Sequence, residues 1–375
     1  MPNPVGVTVT TSLTAPPRGL PTATDPLFLV AVTDVGTPGT VEEVHNLAEF
    51  EAKFATRTAG NIALWDYLDF FFREGGRRAY VSPITTGAGL TAGLTAFNAD
   101  MGPGQVAGVG LATTDHGALT ADAQAKNRFA LLDPLSDDDV SEAKVHGDAL
   151  AATATEEFGM LCYPWVKGPG PVGVQGVGER QCPPSAVIAG LIARVDQSGN
   201  PNQAAAGRSY PLQYVTDFTT TVLRSQFADL LDHAVNPLAD VYGVLQAYGF
   251  QTGAVQAAEN PFWQANCSRM RMALVAQAKA IGENYMFKPI DGKGLLANAL
   301  KGDLDAMLLG YYGLNALYGE EPEDAFLSTV GAVINPPESI AQGTLKASCQ
   351  VVLTLHAKSV QIELVSVPVG GQLAV

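Results

Sequence analysis

Apolar residues recur at helical spacing through residues 61–73 (NIALWDYLDFFFR), where Ile62, Trp65, Leu68 and Phe72 share a face that Leu64 and Phe71 widen. The pattern predicts an amphipathic helix. Gly75-Gly76 ends it, because glycine enters the positive-φ region without steric cost. Arg77 and Arg78 then lead into Ala79-Tyr80-Val81, a short run of strand type. The same reading continues downstream. Residues 106–112 predict a strand, 119–126 a helix and 129–132 a second strand. Residues 137–157 predict a second helix, whose opening Asp137, Asp138 and Asp139 suit the positive end of the helix dipole. Residues 158–165 predict a third strand. Strands alternating with helices imply a parallel α/β sheet.

A Gly/Pro loop at 168–178 follows, then a helix opening at Pro183-Pro184, then a loop of turn formers at 196–207. The C-terminal third changes character. Residues 266–281 predict a helix with Met270, Leu274, Ala278 and Ile281 on one face, and Asp303 is placed to cap a helix from 304 to about 318. In 343–356 (GTLKASCQVVLTLH), Leu345, Ala347, Cys349, Val351, Leu353 and Leu355 fall on one side of a period-two pattern, the mark of a half-buried strand. Residues 359–367 repeat it with Val360, Ile362 and Leu364. At the other end Val5, Val7 and Val9 alternate with Gly6, Thr8 and Thr10, followed by an extended connector carrying Pro16-Pro17 and Pro21. A terminal strand on such a connector pairs within its own chain or adds to the edge of a neighbour's sheet.

Composition narrows the classes. A chain of 375 residues, 47% hydrophobic and 16% charged, is globular and long enough for two or three domains. Its formal net charge of −15 argues against binding nucleic acid through phosphates and against adhesion to anionic membranes. Residues 86–249 carry −9 of that charge, which suggests a more solvated module set into a less charged body. No run of about 18 apolar residues predicts a membrane span, and the N-terminal residues lack a basic segment followed by an apolar one. Cys162, Cys182, Cys267 and Cys349 lie far apart and are read as small buried residues in a reducing compartment. The five histidines are scattered, so no metal site is expected.

Apparent chemical motifs do not hold together. Gly168-Pro169-Gly170-Pro171-Val172-Gly173 fits GxGxxG, but no helix begins there to present N–H groups to a pyrophosphate. Asp34 with Gly36, and His116 with Gly117, faintly echo protease segments, yet Ser185 after Pro184 lacks the glycine-lined setting of a nucleophile. No P-loop occurs. The expectation is no enzyme and no cofactor.

Five segments carry a family resemblance when taken together. FFREGGRRAYV (71–81) resembles a segment of contractile tail sheath proteins of bacteriophages and related injection particles. CPPSAVIAGLIARVDQSGNPNQAAAG (182–207) resembles that family's Pro-Pro-Ser turn, Ala-Gly helix and Ala-Arg-x-Asp run. FWQANCSRMRMAL (262–274) is similar to its tryptophan entry to a long helix, and FKPID (287–291) to its Phe-x-Pro-x-Asp turn. INPPESIAQGTLKASCQVVL (334–353) resembles its Asn-Pro-Pro linker and following strand. The segments occur in family order and span nearly the whole chain. The Trp263 segment lacks the usual Tyr-Ile-Asn, and the loop after Asp196 is altered.

The resemblance implies a fold of α/β and α+β type: a discontinuous mixed α/β core domain with an inserted parallel-sheet α/β domain, subtilisin-like in shape, and extended terminal strand arms. The boundaries expected are an N-terminal arm at 1–12, core halves at 13–87 and 251–355, the insertion at 88–250 and a C-terminal arm at 356–375. The arm residues are Val5, Val7, Val9, Val360, Ile362 and Leu364. The implied function is that of a structural subunit. It stacks as hexameric rings, helically, around an inner tube and contracts to drive the tube through a bacterial envelope. Implied partners are further copies of the chain, the tail tube protein, and baseplate and tail terminator proteins, with no direct nucleic acid and no membrane insertion. The implied location is a virion tail assembled in the host cytoplasm. A non-viral injection particle and an α/β hydrolase-type enzyme are the alternatives.

Overall fold

The computed structural model describes residues 23–361 apart from Gln175. The strands, in chain order, are β1 (Leu27–Val32), β2 (Glu42–Val44), β3 (Ala79–Ile84), β4 (Gln105–Val109), β5 (Phe129–Leu132), β6 (Gly159–Tyr163), β7 (Val166–Gly168), β8 (Arg180–Cys182), β9 (Asp217–Phe218), β10 (Val235–Asp240), β11 (Leu245–Ala247), β12 (Phe326–Thr329) and β13 (Ser348–Val351). The helices are α1 (Leu47–Phe54), α2 (Ile62–Glu74), α3 (Leu90–Ala96), α4 (His116–Ala125), α5 (Val140–Ala151), α6 (Pro184–Asp196), α7 (Phe227–Asp232), α8 (Ala265–Glu283), α9 (Leu295–Gly313), α10 (Pro322–Ala325) and α11 (Pro337–Ala341).

Eight strands form one sheet in the order β11-β10-β6-β5-β4-β1-β3-β2, parallel throughout except for the antiparallel edge pairs β2·β3 and β10·β11. β1 lies inside the sheet, between β4 and β3, and is buried on both faces. Leu27, Leu29 and Ala31 meet Leu64, Leu68, Ile188 and Leu191 of α2 and α6 on one side. Phe28 and Val30 meet Leu90, Leu94 and Leu119 of α3 and α4 on the other. Helices on both faces explain why these strands read as continuous apolar runs. A three-stranded sheet, β8-β7-β9, and a two-stranded sheet, β12-β13, complete the topology.

α2 is the expected amphipathic helix, and it ends at Gly75 with φ 131°. It crosses α6 at close range. A Cβ on Gly190 would stand 2.6 Å from the Phe71 carbonyl oxygen. The face of α2 opposite its apolar stripe is buried too, because ion pairs satisfy it. Arg57 binds Asp66 through Nε and Nη2 at 2.9 and 2.8 Å, and Arg180 reaches both Asp66 (2.5 Å) and Asp69 (2.6 Å). Glu74 accepts from the backbone N–H of Gln213 and Tyr214 and pairs with Arg194 at 3.0 Å. These acids tie α2 to the lobe of β7, β8 and β9.

The strand and helix expectations between residues 105 and 196 hold in order and type, β5 matches its expected span, and the helix expected at 137–157 is shorter, Val140–Ala151. α5 is capped by Asp139, whose carboxylate accepts from Ser141 N and Glu142 N while Glu142 returns to Asp139 N. Strands on either side of the boundary expected between 87 and 88 share one hydrogen-bonded sheet. β1 and β3 from the first stretch and β4, β5, β6 and β10 from the second are neighbours, with β1 paired to both β3 and β4. Residues 27–84 therefore share their core with 105–247, while α8, α9, β12 and β13 build separate clusters around Leu308, Tyr311 and Leu304. Asp303 lies inside α9 and accepts from Tyr285 Oη at 2.6 Å. Asp291 is the residue that holds the start of that helix, accepting from Leu295 N and Leu296 N. The long half-buried strand expected at 343–356 is only β13 plus an isolated pairing of Leu353 with Leu317, because Asn335 hooks Lys346 through both its N–H and its carbonyl.

Candidate assembly surface

The residues that echo a hydrolase do not form a reactive constellation. Ser185 sits in the first turn of α6, 1% exposed. Its hydroxyl donates to Asp133 Oδ2 at 2.5 Å and lies 2.8 Å from Tyr67 Oη, and its backbone N–H donates to Asp133 Oδ1. Burial pushes the Asp133 carboxyl up to about 7, against the lowering effect of the two Ser185 bonds. His116 spends Nε2 on the Asp133 backbone oxygen at 3.0 Å, and burial holds its ring down at about 4. Asp34 lies elsewhere, with its N–H on the Gly60 carbonyl. A nucleophile needs a base within reach and room for a reacting atom; here the hydroxyl is sealed between a carboxyl and a phenol. Among the described residues, no three His, Cys, Asp or Glu side chains are grouped to hold a metal ion, and no helix is long and apolar enough to cross a membrane.

One surface with unpaired strand edges among the described residues lies in the C-terminal third. β12 and β13 pair antiparallel over Phe326↔Val351 to Thr329↔Ser348, and among the described residues neither strand has a second partner. Their faces differ. Phe326, Ser328, Cys349, Val351 and Leu353 turn towards α8 and α9, and the Ser328 hydroxyl donates to Asp305 on α9. Leu327 and Val352 are on the outside, 56% and 49% exposed. Beside β13 a cavity of about 240 Å³ opens between the two helices. Leu274, Val275 and Ala278 of α8, Met307 and Leu308 of α9, and Cys349, Val351 and Leu353 line it, with Phe262 and Arg271 at one end. Arg271 is fixed there, stacked on Phe158 and Phe262 with Nη1 on Glu157 at 2.5 Å. Cys349 is exposed, unlike the other three cysteines and contrary to the expectation that all four are buried. Burial and then Asp305 push its thiol up.

Both ends of the described chain are pinned near this sheet. Thr24 donates to Asp196 Oδ2 at 2.7 Å, and the same oxygen receives Arg269 of α8 at 2.5 Å. At the other end Gln264 exchanges two 2.8 Å hydrogen bonds with the His356 backbone. Asn266 donates to His356 Nδ1 and to Asn202 Oδ1, and Asn202 donates to the Thr354 carbonyl. Burial lowers the basicity of His356, in keeping with a neutral ring that accepts from Asn266.

Of the arm residues, Val5, Val7, Val9, Ile362 and Leu364 lie outside the described residues. Val360 is described, 78% exposed and in no strand. Arg78 of the Gly-Gly-Arg-Arg segment is surface, 3.6 Å from Glu43. Sequence reasoning missed β12, Arg271 and the cavity. The alternation of Phe326, Ser328 and Val330 could have signalled a strand, but four residues after a proline turn give a short pattern. The cavity depends on three distant segments meeting.

No family model matches the chain, and no curated protein matches it. Solved structures do. A chain of the anti-feeding prophage helical sheath in its contracted state superposes with a TM-score of 0.72 at 20% identity, covering 96% of this chain and 98% of that one. A chain of the contracted sheath complex of PVC, an extracellular contractile injection system, gives 0.74 at 16% identity over 97% of each. The sheath tail protein of Desulfitobacterium hafniense gives 0.53 at 10% identity, covering 86% of this chain and 93% of that one. The chain is a mixed α/β protein with a large, mostly parallel sheet, and it has the fold of contractile sheath proteins.

Proposed function

We propose that this chain is the structural subunit of a contractile sheath. Copies stack as six-fold rings in a helical array around an inner tube, with strands from the terminal arms of neighbours added to the β12–β13 sheet. Contraction drives the tube through a bacterial envelope. The observation that carries the reading is a two-stranded sheet with no further partner among the described residues, in a chain that matches sheath structures over nearly its full length. A strand edge of this kind offers backbone hydrogen bonds to another chain and is a hazard in a monomer. Energy for contraction would be stored in the interfaces between copies, which requires no nucleotide or cofactor. A heterologous contact that does not close produces a helical array. The tube, baseplate and terminator proteins would be the other partners, and assembly in the host cytoplasm suits four free cysteines.

A non-viral injection particle fits as well as a phage tail. The fit to the anti-feeding prophage and PVC chains, at 0.72 and 0.74, exceeds the 0.53 to the Desulfitobacterium hafniense protein. Electron microscopy of the purified full-length chain tests the common reading: tubes or stacked rings are expected. A protein that stays monomeric at high concentration, with or without tube protein, overturns it. Deleting residues 1–12, or ending the chain after Lys358, is expected to leave a folded protein that forms no tubes. Long tubes from either variant would remove the arms from the account.

A further inference from the structure

We propose that His356 is a pH-sensitive latch: its neutral ring ties residues 354–358, the root of the C-terminal segment, to the body of the subunit, and a proton on the ring unties them. The consequence for assembly rests on the reading that terminal arms link the copies of a sheath; the latch itself does not.

The hydrogen bonds leave the ring one role. The carbonyl oxygens of Ala316 and Thr354 only accept, and both take the Asn202 Nδ2 group, at 3.2 and 2.9 Å. Asn202 Oδ1 is thereby turned to accept, and Asn266 Nδ2 donates to it at 3.1 Å. The amide of Asn266 is fixed in turn, and the same Nδ2 stands 3.1 Å from His356 Nδ1. A donor aimed at Nδ1 requires that nitrogen to be bare, so the ring is neutral with its proton on Nε2. Asn202 and Asn266 are 0% and 1% exposed, so neither amide can turn to water instead. A proton on Nδ1 would set one N–H against another at this point.

Among the described residues no charge offsets that conflict. On α8, next to Asn266, stands Cys267, whose thiol burial pushes up to about 12 and whose Sγ meets the Thr354 carbonyl at 3.7 Å. On the loop that carries Asn202 the carboxylate is Asp196, and Arg269 and Thr24 already occupy it at 2.5 and 2.7 Å. On the latch's own segment Lys358 is a further cation, held over the Trp263 ring. Burial lowers the basicity of the His356 ring, and no carboxylate among these groups raises it. The contribution of the neutral ring is therefore complete above the ordinary histidine value of 6.5 and is lost as pH falls below it. The segment has little else to hold it. Gln264 exchanges its two 2.8 Å hydrogen bonds with the His356 backbone. Past that residue, among the described residues, the hydrogen bond that holds 357–361 is Lys358 to Gln256 at 3.2 Å.

Hydrogen exchange of the unassembled full-length chain reads the latch. Between pH 8 and pH 5, after correction for the intrinsic rate, the amides of 354–358 are expected to lose protection by about tenfold, the scale of one buried donor left without its acceptor, while β1 and β4 keep theirs. His356→Asn places an oxygen where Nδ1 stands and accepts from Asn266 at every pH, so its protection is expected to be the same at both. An equal loss in His356→Asn assigns the release to another group and overturns the proposal, as does protection in the parent that does not change. Imidazole nitrogen spectra of the parent give a readout that needs no variant. A bare Nδ1 at pH 8, protonated only below 6.5, is expected; a proton on Nδ1 at pH 8 overturns the latch. Tubes then separate latch from sheath. Tubes grown at pH 8 are expected to fall apart at pH 5 and to survive there when built of His356→Asn. Parent tubes that survive pH 5 overturn the link between latch and assembly. No tubes from either protein at any pH overturns the sheath reading, and exchange still judges the latch.

Discussion

At the scale of single residues, the most informative groups are buried polar ones that no periodicity marks. Asp133 is fully enclosed by Ser185 and the core, with its carboxyl pushed up to about 7. A carboxyl raised on folding adds stability that is complete below its unfolded value near 3.8 and is lost as pH rises through about 7. His116, its ring held at about 4 by burial, acts in the opposite sense, since the folded state resists a proton that the unfolded chain accepts near 6.5. The two effects overlap between about pH 4 and 7 and offset one another. Asp133→Asn removes one of them. In denaturant titrations its stability relative to the parent is expected to improve as pH climbs from 4 to 8, and a pH-independent difference would show that folding does not raise the Asp133 carboxyl. Arg180, 4% exposed and bridging Asp66 and Asp69, makes a second case. Arg180→Ala leaves both carboxylates buried with only Arg57, Arg73 and Tyr214 to share, and is expected to cost about 3 kcal/mol in equilibrium unfolding. A loss below about 1 kcal/mol would mean that the ion pairs only break even.

At the scale of elements, what was legible in the sequence was whatever has a local cause. α2 and its Gly75 terminator, β5 and β6 all follow from periodicity and turn chemistry within a dozen residues. What was not legible depends on partners far along the chain. Asp303 looks like a cap because it precedes apolar residues. The true start of α9 is set by Asp291, four residues before Leu295, and Gly294 at φ 77° hides it from a propensity reading. The 343–356 run alternates as a strand should, yet a ladder needs a neighbour, and β12 offers four residues. Pairing across the expected boundary is of the same distant kind: composition changes near residue 87, while hydrogen bonding joins β1 to both β3 and β4. The α2–α6 crossing is the element contact most open to test. Gly190→Ala would ordinarily favour a helix by about 1 kcal/mol. Here the new Cβ stands 2.6 Å from the Phe71 carbonyl and 2.7 Å from Glu74 Cβ. Overpacking by about 1–3 kcal/mol is expected to win, lowering the melting temperature. A more stable variant would show that the helices can part without loss.

At the scale of the whole molecule, charge and polymerisation pull against each other. Each copy carries −15, and the part from 86 to 249, which supplies most of the large sheet and its helices, holds −9 of it. The proposed contacts between copies are apolar: the Leu327 and Val352 face of the β12–β13 sheet and the valine alternation at 5–9. Apolar burial changes little with modest salt, whereas repulsion between like-charged copies is screened over about 10 Å at 0.1 M and about 3 Å at 1 M. Assembly held by the apolar contacts and opposed by the acidic surfaces must therefore speed up as salt is added. Light scattering of the full-length chain is expected to give faster and more complete tube formation on going from low to moderate ionic strength, with the same midpoint for thermal unfolding of the unassembled protein. Assembly that slows with salt would mean that opposite charges on neighbouring copies, and not apolar strands on an apolar face, draw the subunits together.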